Sequence, residues 1–378
     1  MSLSSLSASS LNTRGRRFDE PVPKGRTNFQ RDRDRVIHSS AFRRLMHKTQ
    51  VFINHEGDLF RTRLTHSLEV SQIARTIAKR LDLNEDLTEA LCLSHDLGHT
   101  PFGHAGQSAL NKVMREIDPI SNGFEHNIQS LRIVDLLEKK YAGFDGLNLC
   151  FETREGILKR CSRKAAKKFG KVAERFLTGG QPSLEAQLTN LADEIAYNHH
   201  DLDDGLRAGL LTLEEILEIP TAKYQASIVE KAYPGLTKSR KQCEIIRRMI
   251  SHQVEDVVCN TLKNIKHNDL KSIDDVRLLT FPLVSFSDQM TTEVKKLKIF
   301  LHDRMYKHPI VLEMTSIAKQ VVSNLFFNMI NDIKGNNDLM YLRGVADEIA
   351  SMTDRNAFLL HEKWFPKKVS WPAPVGFF

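Results

Sequence analysis

Apolar residues recur every three or four positions along most of the chain, which is the spacing of one buried helix face. The clearest runs predict helices over residues 31–48, 66–80, 85–97 and 183–203. The same spacing predicts further helices over residues 107–116, 126–140, 212–219, 238–266, 286–304, 310–333 and 338–360. Alternation typical of β-strands is scarce, and 48–53 and 146–151 are its best examples. The pattern therefore predicts an all-α fold.

One short run in this pattern carries unusual chemistry. Residues 95–104 read HDLGHTPFGH, so His95 and Asp96 end a predicted helix, and His99 and His104 follow within ten residues. Adjacent imidazole and carboxylate groups can bind one metal ion. The glycines and the proline between them stop the helix and place the last histidine on a bent loop.

Two further residues complete a candidate metal site. His66 opens the predicted helix 66–80, and Asp193 lies in the middle of the apolar helix 183–203. Two imidazoles and two carboxylates suit Mn, Fe, Mg, Zn or Ni, and they leave coordination positions for water and a phosphate oxygen. Taken singly, His66 is also a typical helix-capping residue and Asp193 a typical ion-pair partner. The combination of the four residues favours a metal.

Charge adds a second clue. The net charge is +7, and residues 14–48 alone contain eleven Lys or Arg against four Asp or Glu. A concentrated positive field suits a polyanion such as a nucleotide or a nucleic-acid backbone. The alternative is that these arginines pair with Asp19, Glu20, Asp32 and Asp34. A second basic run over 159–171 is interpreted either as a lip for a polyanion or as a solvated helix face.

Composition narrows the protein class. The five cysteines form no Cys-x-x-Cys pair, which disfavours a thiolate zinc site and fits a reducing cytoplasm. The N-terminus lacks a signal-peptide pattern, and we expect no membrane-spanning stretch. The sequence thus predicts a cytoplasmic protein.

Several long motifs resemble one family. They are RDRDRVIHSSAFRRL at 31–45, KTQV at 48–51, TRLTHS at 62–67, HDLGHTPFGHAG at 95–106, DEIAYN at 193–198 and MTDR at 352–355. Together they resemble the bacterial deoxyguanosine triphosphate triphosphohydrolase-like (dGTPase-like) proteins, which are HD-domain metal phosphohydrolases. The resemblance runs from about residue 14 to 365. It implies an all-helical homo-oligomer that hydrolyses a deoxynucleoside triphosphate (dNTP) to a deoxynucleoside and inorganic triphosphate.

The resemblance also implies a domain organisation. Residues 29–210 would be an HD-domain helical core, and the Ser, Pro, Gly and Arg content of residues 1–28 predicts a basic, partly mobile arm before it. Residues 211–378 would add C-terminal helices packed on that core.

Roles follow residue by residue from the same resemblance. The divalent metal would be bound by His66, His95, Asp96 and Asp193. Arg63 and His99 would contact phosphate, and His104 and His126 are the acid–base candidates, with either one protonating the leaving 5′-oxygen. Gln107 stands where many relatives carry an acidic residue that orients the catalytic histidine, and Glu125 is a nearby carboxylate that could substitute for it.

The remaining predicted contacts concern the nucleoside. Tyr197 would pack on the sugar where a ribose 2′-hydroxyl would clash, Asp201 would bind the 3′-hydroxyl, and Gln50 would lie near the base or sugar. A dNTP effector and single-stranded DNA are further candidate ligands. Two alternative functions stay open: an HD phosphohydrolase acting on another nucleotide, and a weakly catalytic sensor of dNTPs or nucleic acid. His199 and His200, next to Asp201, could suggest a second metal site, but they are expected on the helix surface.

Overall fold

A computed structural model describes residues 3–22, 24–52, 60–331 and 339–366, and in these ranges it contains eighteen α-helices and no β-strand. The predicted all-α fold is confirmed. The first ten helices are α1 (Asn28–Ile37), α2 (Ser40–Arg44), α3 (Arg63–Arg80), α4 (Glu85–Ser94), α5 (Gly103–Ile117), α6 (His126–Arg132), α7 (Phe151–Ile157), α8 (Arg163–Ala166), α9 (Arg175–Thr178) and α10 (Leu184–Arg207). The others are α11 (Leu213–Ile216), α12 (Pro220–Ala232), α13 (Lys238–Asn268), α14 (Ile273–Leu278), α15 (Asp288–Leu301), α16 (Pro309–Asn331), α17 (Leu339–Ser351) and α18 (Asp354–Trp364).

Helices α3, α4 and α10 pack against one another and form the centre of the fold. Their apolar faces share a buried cluster that includes Val70, Ile77, Leu188 and Ile195. The Thr62 side chain accepts a hydrogen bond from the Thr65 amide and caps α3, an interaction typically worth about 1 kcal/mol. This packing brings the first turn of α3, the end of α4 and the middle of α10 to one place.

The loop between α4 and α5 needs its glycines for close packing. A Cβ atom on Gly98 would lie 2.3 Å from the His126 carbonyl oxygen and the Ser130 amide nitrogen, so only glycine lets α6 approach. Gly103 has φ +56°, and a Cβ there would lie 2.8 Å from Arg63 Nη2. The loop sequence thereby sets the distance between the 95–104 run and α6.

The C-terminal helices support this loop from behind. Asp354, in the MTDR motif, accepts hydrogen bonds from the Thr49 amide at 2.8 Å and the Phe102 amide at 2.9 Å. The buried Lys48 ammonium donates to the carbonyl oxygens of His99 and Ala350 at 2.5 and 2.7 Å. The MTDR motif therefore anchors the loop between α4 and α5 through hydrogen bonds.

Helix α16 corrects one expectation. By length and composition it is apolar enough to cross a membrane, with mean hydropathy 1.2 over its most apolar window, whereas we expected no such stretch. Its buried residues Val321, Val322, Leu325 and Phe326 belong to a core cluster shared with α5 and α17. A third of that window is buried, so packing inside the protein explains part of its apolar composition.

The basic N-terminal segment lies against the core. Glu185 accepts hydrogen bonds from the Ser7 hydroxyl and the Ala8 amide. Arg16 pairs with the buried Asp32 at 2.5 Å, and Arg35 pairs with Glu20 at 2.7 Å. Arg26 and Arg31 also pair with acidic residues. The alternative interpretation, in which the arginines neutralise neighbouring carboxylates, is confirmed for these four.

Some predicted elements are wrong. The helix predicted over 31–48 breaks because the Ser39 side chain caps a new helix, α2, and the one over 338–360 breaks because Thr353 caps α18. The helix predicted over 126–140 leaves α-geometry at a π-helical turn, Ile133–Leu137. The basic run over 159–171 contains only a four-residue helix and a 3-10 turn. It therefore does not form one continuous helix face.

Both strand candidates are wrong where the structure describes them, since they form connecting segments with isolated bridges only, and Phe151 already begins α7. Leu147 and Leu149 alternate with polar positions because the segment before α7 is pressed against the core. Residue 53 lies outside the described residues.

Candidate active site

The four residues predicted to bind metal lie together. His66 comes from the first turn of α3, His95 and Asp96 follow α4, and Asp193 comes from α10. His66 Nε2 lies 3.0 Å from Asp193 Oδ1, and His95 Nε2 lies 3.6 Å from the same oxygen. His95 Nε2 is also 3.3 Å from Asp96 Oδ1. His66, His95 and Asp96 are buried, so the donors converge at the floor of the site.

The hydrogen bonding of His95 fits a metal ligand. Its Nδ1 lies 2.6 Å from the Cys92 carbonyl oxygen, which accepts only from a protonated nitrogen. A neutral ring then has a lone pair on Nε2, which is buried and makes no hydrogen bond. That lone pair faces two carboxylates, and a cation between them satisfies all three donors. The donor set thus suits a divalent ion.

Cations surround the two carboxylates on their other sides. Arg63 Nη1 donates to Asp96 Oδ2 at 2.6 Å, and Lys159 Nζ lies 2.8 Å from Asp193 Oδ2. Although burial raises the pKa of Asp96, His95 and Arg63 lower it well below its usual range. Burial likewise raises the pKa of Asp193, but Lys159 and His95 have the larger, opposite effect, and the pKa lies well below its usual range. Both carboxylates are held ionised. The sequence had placed Lys159 only in a basic run, so its partner was missed.

Three histidines extend from this cluster. The His99 ring stacks on the His126 ring with centroids 4.0 Å apart, and His104 lies 5.1 and 6.0 Å from them. His99 Nε2 lies 3.4 Å from Asp96 Oδ1, which joins the row to the metal cluster. The ring of His104 is exposed, while partial desolvation and the nearby Arg63 lower its pKa below the usual range. His104 is therefore neutral at pH 7.

Gln107 contacts His126. Its Oε1 lies 2.6 Å from His126 Nδ1, and the Glu125 carboxylate lies 3.1 Å from the same nitrogen. Glu125 also caps α6 by accepting from the Asn127 and Ile128 amides, which fixes its position. Because both neighbours offer oxygen acceptors, Nδ1 carries the proton of the neutral ring. A carboxylate thus lies beside this histidine although position 107 is an amide.

The residues predicted to contact the nucleoside lie on α10 and on the segment before α3. Tyr197 and Asp201 are one and two turns beyond Asp193, about 6 and 12 Å along the helix axis. Asp201 Oδ2 accepts a hydrogen bond from the Tyr306 hydroxyl, and Asp201 Oδ1 is buried without a partner. Gln50 Oε1 is also buried and makes no hydrogen bond. Tyr306 was missed, because a contact across 105 residues leaves no signal in the local pattern.

Asp201 makes a testable contribution to stability. Burial is the main reason that the pKa of Asp201 is raised to about 7. The folded protein therefore binds this proton more tightly than the unfolded chain does, and stability falls as pH rises from about 4 to 7. We expect Asp201→Asn to increase the free energy of unfolding by on the order of 2–4 kcal/mol at pH 8 and by almost nothing near pH 4.

Urea unfolding at both pH values measures this effect. Asn can still accept from the Tyr306 hydroxyl, so packing is preserved. The matched variant Tyr306→Phe leaves the Asp201 carboxylate without its donor, and it should destabilise the protein at pH 8. A gain in Asp201→Asn that is equal at the two pH values would contradict the assignment.

The structure corrects the placement of two further histidines. His199 and His200 were expected on the helix surface, but both are buried. His199 Nδ1 lies 2.6 Å from the Ile195 carbonyl oxygen, and His200 Nδ1 lies 3.1 Å from His66 Nδ1. The prediction failed because α10 is covered on nearly all sides, so its hydrophobic pattern marks only part of its buried surface.

Two protein-family models match the sequence of this chain. The HD domain profile covers residues 63–198, which include all four donors, and the phosphohydrolase-associated domain profile covers residues 284–363. HD-domain proteins bind divalent metals, in agreement with the donor cluster.

Similar proteins span almost the whole chain. A deoxyguanosinetriphosphate triphosphohydrolase-like protein of Bordetella pertussis is 54% identical over 370 residues, 96% of each chain. Proteins of the same name from Ralstonia nicotianae and Nitrosomonas europaea are 52% and 50% identical. Those matches cover 97% and 96% of this chain and 95% and 98% of the relatives. The chain therefore belongs to the deoxyguanosinetriphosphate triphosphohydrolase-like family of HD-domain phosphohydrolases.

Proposed function

We propose that this protein hydrolyses deoxynucleoside triphosphates to a deoxynucleoside and inorganic triphosphate, with a divalent metal ion as cofactor. The observation that carries the proposal is the continuity of the four-donor cluster with the histidine row through Asp96 and His99. In this arrangement the four donors, the cations Arg63 and Lys159 and the three histidines lie next to one another, which supports a site of this kind. The names of the relatives agree with a nucleotide substrate.

The metal would be held by His66, His95, Asp96 and Asp193. A divalent ion there supplies charge neutralisation and polarises a P–O bond. Three of the four residues are buried, so the floor of the site is shielded from solvent. Arg63 and Lys159 fix the carboxylates by pairing with the oxygens that do not face the histidines.

The phosphate chain would lie over Arg63, His99 and Lys159. A triphosphate carries about four negative charges, so its transition state requires fixed cations and hydrogen-bond donors that are already in place. Arg63 is almost completely buried, and Gly103 leaves room for its guanidinium. The position of the charge is therefore set before substrate arrives.

We assign protonation of the leaving 5′-oxygen to His126. The Glu125 carboxylate and the Gln107 amide oxygen both lie against His126 Nδ1 and orient the ring. His104, by contrast, lies on the exposed side of the row and is neutral at pH 7. It suits a role as hydrogen-bond donor to the phosphates.

The Asp201–Tyr306 pair and Tyr197 would form the sugar subsite. Asp201 Oδ1 has no partner, so it is available to accept from a 3′-hydroxyl. Tyr197 is half-buried on the same face of α10, one turn nearer the metal cluster. The predicted dNTP effector, single-stranded DNA ligand, homo-oligomer and cytoplasmic location stay predictions.

Product analysis tests the proposal. Each of the four dNTPs is incubated with protein and Mn²⁺ or Mg²⁺, and the products are separated by anion-exchange chromatography. We expect equimolar deoxynucleoside and triphosphate. Release of phosphate or pyrophosphate would show a different phosphohydrolase reaction. Tight nucleotide binding without turnover would show a sensor of dNTPs.

A further inference from the structure

We propose that His200 and Glu69 are positioning residues that fix the tautomer of His66 and thereby set the affinity of the four-donor cluster for its divalent ion. The inference rests on the proposed role of His66 as a metal ligand. It adds two residues that touch neither the metal nor the substrate.

The three side chains form a continuous chain of hydrogen bonds. His66 Nδ1 lies 3.1 Å from His200 Nδ1, and His200 Nε2 lies 2.5 Å from Glu69 Oε2. The two rings meet edge to face, with an interplanar angle of 86°. Both histidines are at most 5% exposed, so the contact between the two rings is shielded from water.

Glu69, at the outer end of this chain of hydrogen bonds, is held in place by the charged side chain of Arg61. Arg61 Nε donates to Glu69 Oε2 at 2.9 Å, and its Nη1 pairs with Asp203 and Asp204 at 2.7 Å each. Glu69 lines a cavity of about 500 Å³ between α3 and α13, and its side chain is 43% exposed. The carboxylate is therefore held ionised and in place by a guanidinium that is itself anchored twice.

The proton positions follow in one direction only. An ionised carboxylate can only accept, so His200 Nε2 carries a proton and, in a neutral ring, His200 Nδ1 is an acceptor. His66 Nδ1 must then donate, and the lone pair of His66 is left on Nε2, the nitrogen that faces Asp193. Glu69 thus selects, through His200, the metal-binding tautomer of His66.

His95, the second imidazole of the cluster, also needs an acceptor for its Nδ1 proton, but that acceptor is a backbone group. His95 Nδ1 donates to the Cys92 carbonyl oxygen at 2.6 Å, an acceptor that mutation of a side chain cannot remove. For His66 the acceptor is the His200 side chain. His200 can accept through Nδ1 only in the tautomer that Glu69 selects. The cluster therefore depends on residues 69 and 200 in a way that can be tested.

The experiment compares Mn²⁺ binding to nucleotide-free, chelator-stripped protein, with free Mn²⁺ measured by electron paramagnetic resonance. His200→Leu removes the acceptor, and we expect Mn²⁺ to bind about 10- to 100-fold more weakly. His200→Asn can place an amide oxygen near the former Nδ1, and we expect less than about a threefold loss. His199→Leu, which changes the neighbouring buried histidine without touching His66, should bind like the wild type.

A second variant keeps the test decisive if His200→Leu folds poorly. Glu69→Leu alters a side chain that is 43% exposed and leaves His200 free to adopt either tautomer. We expect about a 3- to 30-fold loss in Mn²⁺ affinity, measured well below the thermal midpoint of the metal-free variant so that unfolding does not contribute. The tautomer of His66 can also be observed directly, because the ring nitrogens have distinct NMR shifts.

The outcomes separate the two proposals. If the wild type binds Mn²⁺ at the cluster and both His200→Leu and Glu69→Leu bind equally well, the positioning role is overturned and the proposed function stands. If His200→Asn loses as much affinity as His200→Leu, the acceptor is not what matters and the role is also overturned. If the wild type and His66→Ala bind Mn²⁺ alike, the metal site itself is wrong and both proposals fail.

Discussion

Replacing Asp193 with asparagine is expected to lower the rate of dNTP hydrolysis by at least about 1,000-fold, because the loss of a carboxylate ligand costs several kcal/mol of transition-state stabilisation. Asp193 Oδ1 faces both His66 and His95, and its Oδ2 faces Lys159. The amide has the same size but no charge. It would direct N–H groups at a ring lone pair or at an ammonium group.

Two measurements check this expectation: the initial rate at saturating dNTP and Mn²⁺, and the Mn²⁺ affinity without nucleotide. Both should fall together, because one residue serves both. Glu214→Gln is the matched control, since it makes the same chemical change at an exposed carboxylate on α11 whose partner is Lys238. A variant at 193 that kept more than a tenth of the wild-type rate would exclude Asp193 as a ligand.

The hydrophobic pattern predicted the helices that carry this cluster, and the reason is physical. Helices α3 and α10 bury a face of apolar side chains, so their spacing is visible in the sequence. Breaks within predicted helices were harder to place. Ser39 and Thr353 end one helix and cap the next through single side-chain hydrogen bonds, which do not disturb the apolar spacing on either side.

The individual site residues differ in how far the sequence revealed them. His95 and Asp96 were evident because they are adjacent in a run dense in titratable groups. His66 and Asp193 were candidates from their helix positions, and only the fold shows their nitrogen and oxygen 3.0 Å apart. Residues joined to the site by long-range contacts, such as Tyr306 and Glu69, carry no local signal at all.

Net charge gave a misleading impression of the N-terminal segment. The sum over residues 14–48 already includes the four carboxylates of the segment, with which Arg16, Arg26, Arg31 and Arg35 pair. In the structure Arg14, Arg17 and Arg33 also pair with carboxylates outside the segment, on Asp274, Asp135 and Glu89. Part of the excess positive charge is therefore neutralised by other parts of the fold. The cations that serve the candidate site, Arg63 and Lys159, lie outside that segment.

The last prediction concerns the proton donor. His126→Ala should lower hydrolysis by about 100- to 1,000-fold while Mn²⁺ binding is unchanged, because the ring transfers a proton and the four-donor cluster remains complete. Steady-state rates and Mn²⁺ affinity, measured on the same preparation, separate this result from loss of metal. Full hydrolysis by His126→Ala would remove this residue from the mechanism and leave His104 as the donor.

Position 107 provides the matched variant. Gln107→Glu puts a second carboxylate against His126 Nδ1, where the amide oxygen now lies 2.6 Å away. A negative charge there favours the protonated ring, so the rate should persist to higher pH than in the wild type. In His126→Ala the same substitution has no imidazole to act on, and the pH profile should not move. A shift that survives the loss of His126 would mean that position 107 acts on another group, and the assignment of the donor would fail with it.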